Sequence, residues 1–266
     1  MNKDLLKEIL SIPSCSRSED DIRDFLILWA KDKKISHRVD EFGNLFMKKG
    51  DAESYPCVVA HMDTVHRDQI PMVGEGQKLT ILEGNGTYGD ILYAQKKTLD
   101  GLNVSTGCGG DDKAGIFIVL ELIEKFDTIM GAFFVEEEIG CLGSKRAIAD
   151  EWLEEASYFI QFDAPTDDWI SKVCSGILLF DNEFESLLEP VWKEFKMSKP
   201  SISDPFTDIK ELRKHYDVNC INYFAGYMNM HSIFEFVVLD YVQKAIDLGE
   251  ATIRTLGPDK NLFNTK

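Results

Sequence analysis

The feature that most constrains the fold is a series of short apolar runs separated by segments of helical periodicity. Pro56 to Met62 (PCVVAHM) is the clearest run, and it is typical of a strand buried on both faces of a sheet. The runs 131–136 and 157–163 have the same character, with an amphipathic segment between them. Alternating buried strands and helices predict a three-layer α/β fold, with a mostly parallel, mixed central sheet and helices on both faces.

Periodicity and turn residues predict the remaining elements. Ser18 with Asp21 resembles a capping box in its acidic form, which would begin the second helix. Residues 76–97 indicate a hairpin at the sheet edge, turned by glycines at 84–86 and 89. We expect further helices over 3–11, 18–33, 111–126, 144–153, 184–196 and 237–256, and further strands over 37–49 with a turn at 43–44, 175–182 and 217–224.

Composition limits the classes of partner. The formal net charge of −17 would repel phosphate backbones, so we expect no nucleic-acid partner. No run approaches 18 apolar residues and the first residues have no apolar signal segment, so we expect no membrane partner and a cytoplasmic location. The six cysteines include none at C-x-x-C spacing, and Cys57 and Cys220 lie in apolar runs. We therefore predict reduced, buried thiols.

Polar side chains follow the predicted strands, where open α/β sheets place their sites. They are His61 and Asp63 in VVAHMDTVH, Asp111 and Asp112 in GCGGDDKAG, Glu136, Glu137 and Glu138 in FFVEEEIG, Asp163 in YFIQFDAP, and His231 in NMHSIFEF. Each has an ordinary structural explanation: a histidine satisfied in place, a solvated acidic turn, or an N-cap. These explanations would have to hold at five separate strand ends at once, so a shared site is the better interpretation.

Imidazole and carboxylate ligands without thiolate are typical of catalytic zinc. Several carboxylates at one edge would repel one another and raise each other's pKa, and divalent cations remove that repulsion. The residues alone allow either one mononuclear site or two adjacent sites. Two metals about 3.5–4 Å apart would activate a water and stabilise a developing oxyanion.

The motifs AHMDTVH, GGDDKAG, EEEIG, FDA and NMHSIFEFV, in this order, resemble those of the peptidase T, aminoacylase and carboxypeptidase G group of two-zinc exopeptidases. The last motif is closest to the peptidase T branch. The motifs extend from about residue 57 to about residue 240, so the resemblance covers most of the chain.

The resemblance implies a role for each matching residue. His61, Asp111 and Asp163 would hold one metal, and Asp111, Glu138 and His231 would hold the other, so that Asp111 is the bridge. The ions would be two divalent metals per chain, zinc first, with cobalt or manganese as alternatives. Asp63 would accept the N–H of His61. Glu137 would be the general base that takes a proton from the metal-bridging water.

The sequence departs from the resembling enzymes at two places. Much of that group has a proline at or beside the position of His66. His66 could reach the substrate, but we predict an exposed loop histidine. Relatives of peptidase T insert a lid and dimerisation domain between the motifs of Asp163 and His231, whereas only 67 residues separate the two here. We therefore expect residues 1–266 to form a single catalytic domain without an inserted lid.

The sequence thus predicts a metallopeptidase, an aminopeptidase or dipeptidase acting on short peptides. The same metal core would serve an N-acyl amino acid amidohydrolase or a carboxypeptidase, and a non-hydrolytic metal- or peptide-binding module is the alternative outside enzymes. The segment 197–216 is equally compatible with a plain loop and with a pocket wall. We also predict a cis peptide bond between Asp111 and Asp112, where the glycine-rich loop turns into a helix and the resembling enzymes carry one.

Overall fold

The computed structural model describes residues 1–67, 79–98 and 100–259. The helices are α1 (Lys3–Leu10), α2 (Asp20–Asp32), α3 (Gly110–Lys125), α4 (Leu142–Arg146), α5 (Glu151–Glu154), α6 (Asn182–Glu194), α7 (Asp208–His215) and α8 (Leu239–Leu256). The strands are β1 (Ser36–Val39), β2 (Leu45–Lys49), β3 (Tyr55–His61), β4 (Thr80–Gly86), β5 (Gly89–Lys97), β6 (Asn103–Thr106), β7 (Ile129–Phe134), β8 (Ala156–Phe162), β9 (Ile170–Ser171), β10 (Val173–Cys174), β11 (Ile177–Leu178), β12 (Cys220–Tyr223), β13 (Tyr227–Met228) and β14 (Phe236–Val238).

The central sheet has seven strands in the order β1-β2-β7-β3-β8-β12-β9. Strands β7, β3, β8 and β12 run parallel, while β1, β2 and β9 add antiparallel edges. All residues of β3, β7, β8 and β12 are buried, as a sheet covered on both faces requires. Helices α1, α3, α6 and α8 pack in one group, and α4 and α7 pack in another. The predicted mixed α/β architecture is confirmed.

The predicted hairpin lies elsewhere. Strands β4 and β5 do form a hairpin, but it belongs to a second sheet, ordered β13-β14-β5-β4 with β6 also on β5, so its prediction as an edge of the central sheet is wrong. The cause is long-range pairing, because Tyr93 in β5 lies opposite Phe236 in β14. Residues 76–78 of the predicted hairpin lie outside the described residues.

Three local predictions are corrected. Helix α2 begins at Asp20 and has no side-chain cap, because the carboxylate of its N-cap residue Glu19 accepts the N–H of Glu136 instead. The predicted strand 175–182 forms only part of the small β10–β11 hairpin, since Ser175 and Gly176 both adopt positive φ. The predicted helix 144–153 is split into α4 and α5, and Asp150 caps the second piece by accepting the N–H of Trp152.

The cysteine prediction holds in the structure. All six cysteines are free and buried. Between Asp163 and His231 the chain forms strands β9 to β13 and helices α6 and α7. None of the helices in the described part of the chain combines the length and the apolar character that crossing a membrane requires.

Candidate metal centre

The fold brings the five predicted ligands to one edge of the central sheet. His61 ends β3, Asp163 directly follows β8, and Glu138 lies in the turn after β7. Asp111 lies in the first turn of α3, and His231 lies in the loop between β13 and β14. Their ligand atoms form two groups, one of His61, Asp111 and Asp163 and the other of Asp111, Glu138 and His231, each with all atoms within 4.8 Å of one another.

The first group is centred on the His61 imidazole. Its Nδ1–H donates to the main-chain oxygen of Asp63 at 2.9 Å, so in the neutral ring Nε2 carries the lone pair. Nε2 lies 3.1 Å from Oδ1 of Asp111 and 3.6 Å from Oδ1 of Asp163. A lone pair that faces two carboxylates is stable only with a positive charge between them, either a proton on the ring or a bound cation.

The second group shares Asp111. Nε2 of His231 lies 3.2 Å from Oδ2 of Asp111 and 3.1 Å from Oε2 of Glu138. The other oxygen of Glu138, Oε1, is buried and has no hydrogen-bond partner among the described residues. His231 adopts a left-handed φ of 60°, uncommon for a non-glycine residue, and its side chain is 47% exposed. The second group therefore lies at the solvent side of the first.

The donor spacing fits small cations. Ligands about 2.1 Å from a tetrahedral zinc lie roughly 3.4 Å from one another, and the measured separations of 3.1 to 3.6 Å agree with that spacing. The orphaned oxygen of Glu138 and the lone pair of His61 both require a positive partner. Imidazole and carboxylate donors of this kind suit divalent zinc, manganese or cobalt.

The carboxylates show the electrostatic cost of this arrangement. Burial raises the pKa of Asp163 to about 6; His61 opposes the shift, while the charges of Asp111 and Glu138 add to it. Burial likewise raises the pKa of Glu138, and it raises that of Glu137 well above its ordinary range. Crowded acids with raised pKa values favour a bound cation, which removes their mutual repulsion.

The same negative charges also raise the pKa values of the two histidines, which favours their protonated forms. Hydrogen bonds with Asp111 and Glu138 raise the pKa of His231 to about 10. Burial lowers the pKa of His61, but its carboxylate partners outweigh burial and raise it well above the ordinary value. Burial tends to raise the pKa of Asp111, and the two histidines bring it well below its usual range. Asp111 is thus the ionised centre of both groups.

Asp63 stabilises the turn that carries Glu137 and Glu138. Its carboxylate accepts the N–H of Glu137 at 2.8 Å, the N–H of Glu138 at 3.2 Å and the hydroxyl of Ser16 at 2.7 Å. The carboxylate lies 3.5 Å from Nδ1 of His61, farther than its own main-chain oxygen. Asp63 therefore orients the turn after β7 as well as the imidazole.

Glu137 lies inside the site rather than on its rim. It is buried, and its Oε2 lies 3.9 Å from Nε2 of His61. Its Oε1 accepts a weak hydrogen bond from the Cys141 thiol at 3.4 Å. The side chain also lines the cavity described below, so it can reach both a bound substrate and the ligand groups.

The junction of the glycine-rich loop and α3 has the predicted geometry. The Asp111–Asp112 peptide bond is cis, which confirms that prediction. Both carboxylate oxygens of Asp112 accept main-chain hydrogen bonds, Oδ2 from the N–H of His61 at 3.1 Å and Oδ1 from that of Gly115 at 3.2 Å. Asp112 thereby holds the end of β3 in place.

Several supporting residues were missed from sequence. Oδ2 of Asp163 accepts hydrogen bonds from Thr207 at 3.1 Å and from Gln161 at 3.3 Å. Asn222 pairs with both the N–H and the carbonyl of Asp163, each at 3.0 Å. The available signal was an amide side chain inside a buried strand, which must find a partner.

His66 is a clear correction. We expected an exposed loop histidine, but it is only 7% exposed and its Nε2 donates to the carboxylate of Glu235 at 2.9 Å. Glu235 is itself buried, and sequence analysis gave it no role. The glycine-rich loop closes over the imidazole, because a Cβ on Gly107 would lie about 2.0 Å from its ring.

A cavity of about 330 Å³ opens beside the ligand groups. Its floor carries Asp111, Glu137, Glu138 and Asp163, and its walls are mostly apolar. The wall residues include Pro165, Trp169, Cys174, Asp204, Pro205, Phe206, Thr207, Tyr227 and Met230. Residues 204–207 of the segment 197–216 therefore form part of a pocket wall, and residues 208–215 of the same segment form α7.

Comparisons with known proteins place the chain in a family. The family model described as peptidase family M28 matches residues 44–215. The comparison with curated proteins gives no match.

Solved structures share the fold over nearly their whole length. Aminopeptidase PepT from Bacillus cereus superposes with a TM-score of 0.69 at 16% identity, covering 95% of this chain and 97% of that one. Aminopeptidase APDkam598 from Desulfurococcus kamchatkensis gives 0.68 at 17% identity, covering 97% and 95%. The TET1 peptidase of Pyrococcus horikoshii gives 0.66 at 17% identity, covering 92% and 97%. At these identities the likeness establishes the fold.

Proposed function

The chain belongs to peptidase family M28 and is a metallopeptidase, and on that premise we propose that it is a two-metal aminopeptidase or dipeptidase of short peptides. Peptidases of this family depend on metal ions, and the chain has donor groups suited to them. Two solved aminopeptidases, from Bacillus cereus and Desulfurococcus kamchatkensis, share its fold.

One observation carries the two-metal proposal. Each oxygen of Asp111 faces a different histidine, Oδ1 at 3.1 Å from His61 and Oδ2 at 3.2 Å from His231. A carboxylate placed in this way can bridge two cations. We assign His61, Asp111 and Asp163 to one ion and Asp111, Glu138 and His231 to the other, with zinc as the first candidate.

The reaction would be hydrolysis of a peptide bond. Two divalent cations would supply the Lewis acidity that polarises the scissile carbonyl and makes water more acidic. Glu137, buried between His61 and the cavity, would take a proton from the attacking water and pass it to the leaving amine. Asp63 would hold Glu137 in place through the N–H it binds.

The charge of the cavity favours an amino-terminal substrate group. Five carboxylates line it, those of Asp111, Glu137, Glu138, Asp163 and Asp204. If all are ionised, two divalent cations leave the lining net negative, which attracts an α-ammonium group more than a carboxylate. The apolar wall beside them would take one substrate side chain.

The setting of the enzyme is also part of the proposal. We propose that the chain works as one catalytic domain in the cytoplasm, where a reducing environment suits six free thiols. Its partners would be short peptides, with N-acyl amino acids as the alternative substrate.

A substrate panel tests the proposal directly. The protein would be incubated with Zn²⁺, Co²⁺ or Mn²⁺ and offered aminoacyl chromogenic amides, dipeptides and N-acetyl amino acids. We expect turnover of the free-amine substrates. Activity confined to N-acetyl amino acids would establish an acylase instead, and metal binding without turnover of any substrate would favour a non-hydrolytic module.

A further inference from the structure

Glu235 is a buried carboxylate that the proposed reaction does not use. Its side chain is fully buried and accepts three hydrogen bonds. Oε2 accepts from the N–H of Gly109 at 2.6 Å and from Nε2 of His66 at 2.9 Å, and Oε1 accepts from the N–H of Asp111 at 3.1 Å. One side chain therefore fixes the main chain of the shared ligand.

These bonds join three segments of the chain, each beside a predicted ligand. His66 lies in the loop after His61, Asp111 lies in the first turn of α3, and Glu235 lies four residues after His231. The glycines between them permit this contact. A Cβ on Gly109 would approach Thr64 to 2.8 Å, and one on Gly110 would approach Tyr227 and Val237 to 2.8 Å. The glycine-rich loop is thus shaped by packing against its neighbours.

The Glu235 side chain is completely shielded from solvent. An isolated buried carboxylate is costly, and its three hydrogen bonds offset that cost. Burial lowers the pKa of Lys113 to about 8, and Glu235 opposes that shift. An apolar side chain in the same space would leave these three donors without an acceptor, so both oxygens of Glu235 are needed to hold the loop in this shape.

We propose that Glu235 is a positioning residue, which aims the Asp111 carboxylate between the two metal positions and is itself oriented by His66. The two oxygens of Glu235 hold two N–H groups of the same short loop, one on each side of Gly110. With its N–H fixed, Asp111 can direct Oδ1 and Oδ2 toward His61 and His231 without further ordering. This inference rests on the proposed metal centre.

The variant Glu235→Gln tests the proposed positioning role, because it changes the chemistry of the side chain with little change in its shape. An amide has one acceptor oxygen, so its NH₂ must face either the N–H of Asp111 or the donors at Gly109 and His66. The measurement is the affinity for Zn²⁺, by competition with a chromophoric chelator, well below the melting temperature. We expect the affinity to fall about 10- to 100-fold, the usual effect of losing a residue that supports a metal ligand. Turnover should recover substantially when Zn²⁺ is in excess.

Glu250→Gln is the matched control. It makes the same chemical change on α8, where Glu250 pairs with Lys125 and Arg254, and should leave Zn²⁺ affinity unchanged. A merely structural Glu235 would lower the melting temperature of Glu235→Gln without changing the affinity of the folded protein. That result would overturn the inference. A wild-type protein that binds no Zn²⁺ would instead refute the metal centre and the proposed function.

If Glu235→Gln does not fold, the variant His66→Leu tests the positioning role of Glu235 instead. It removes one donor to Glu235 and leaves both N–H contacts in place. We expect Zn²⁺ affinity to fall at least about threefold, a milder version of the loss expected for supporting residues. A folded His66→Leu protein with wild-type affinity would count against the proposal.

Discussion

The two sides of the candidate site are built in different ways. The ligand side is the group of five predicted metal ligands, and three of them, His61, Glu138 and Asp163, lie at or just after the ends of β3, β7 and β8, whose residues are all buried. The pocket side lies on two-residue strands and loops, and it presents Phe206 and Met230 with exposures of 46% and 42%. A rigid frame suits groups whose positions set the chemistry, whereas a wall of loops can vary with the substrate. The difference indicates that chemistry and selectivity are separable in this protein.

Metal removal should produce the largest effect on the ligand side. We expect two divalent ions per chain in the active protein, and complete loss of turnover after dialysis against a chelator, with recovery on adding Zn²⁺. Elemental analysis alongside activity makes the measurement. A fully active preparation containing one ion or none per chain would break the two-site assignment and with it the contrast between the two sides.

Substitutions at the neighbouring residues Glu137 and Glu138 should separate the loss of proton transfer from the loss of metal binding. Glu137→Gln should lower kcat about 100- to 10,000-fold with metal content nearly intact, because it removes the proposed general base. Glu138→Ala should lower metal occupancy itself, because it removes a proposed ligand that faces His231. Metal content and kcat would be measured on both variants. Substantial activity in Glu137→Gln would mean that another group is the base.

The raised pKa of His231 predicts how metal binding depends on pH. Without metal, Asp111 and Glu138 raise the pKa of this imidazole to about 10, so the incoming ion must displace a proton at neutral pH. The apparent affinity of that site should therefore rise with pH, up to about tenfold per unit for one proton, and level off above about 10. Calorimetry in two buffers of different ionisation enthalpy counts the protons released.

The same shift predicts the stability of the metal-free protein. The raised pKa of His231 contributes stability that is fully present below the ordinary value of 6.5 and is lost as the pH rises to about 10. The melting temperature after chelation should fall over this interval. His231→Gln should reduce both this dependence and the proton release, and unchanged proton release in that variant would show that other groups supply the protons.

The ligand side could be predicted from sequence because its information is local. An apolar run such as Pro56 to Met62 predicts a buried strand, and a histidine at its end must lie at the sheet edge. Parallel pairing of β3 with β7 and β8 then brings His61, Glu138 and Asp163 together. The Asp111 junction followed from the glycine-rich loop and the family resemblance.

The remaining features depend on contacts between distant segments. The β4–β5 hairpin has the local pattern of any edge hairpin, and only its pairing with β14 shows that it belongs to a second sheet. Glu235 stands between Phe234 and Phe236, an alternation that suits an exposed position equally well. Its burial follows from contacts with Gly109 and His66, more than 100 residues away. Sequence periodicity contains no information on such pairs.

The smallest predicted effect comes from two truncations, one in the pocket wall and one in the central sheet. Together they test whether the pocket side and the ligand side of the site are separable. Phe206→Ala should raise KM about tenfold for substrates with a large apolar amino-terminal residue, and much less for alanyl substrates, because it opens the pocket wall. Its cost in unfolding free energy should stay within about 0.5 kcal/mol, since the ring is half exposed. Val58→Ala removes fewer atoms but lies fully buried in β3, so it should cost about 2 kcal/mol and leave the relative KM values of the two substrates unchanged. Denaturant unfolding and steady-state kinetics measure both quantities. If Phe206→Ala proved the more destabilising variant, or if Val58→Ala changed substrate preference, the two sides would not be separable.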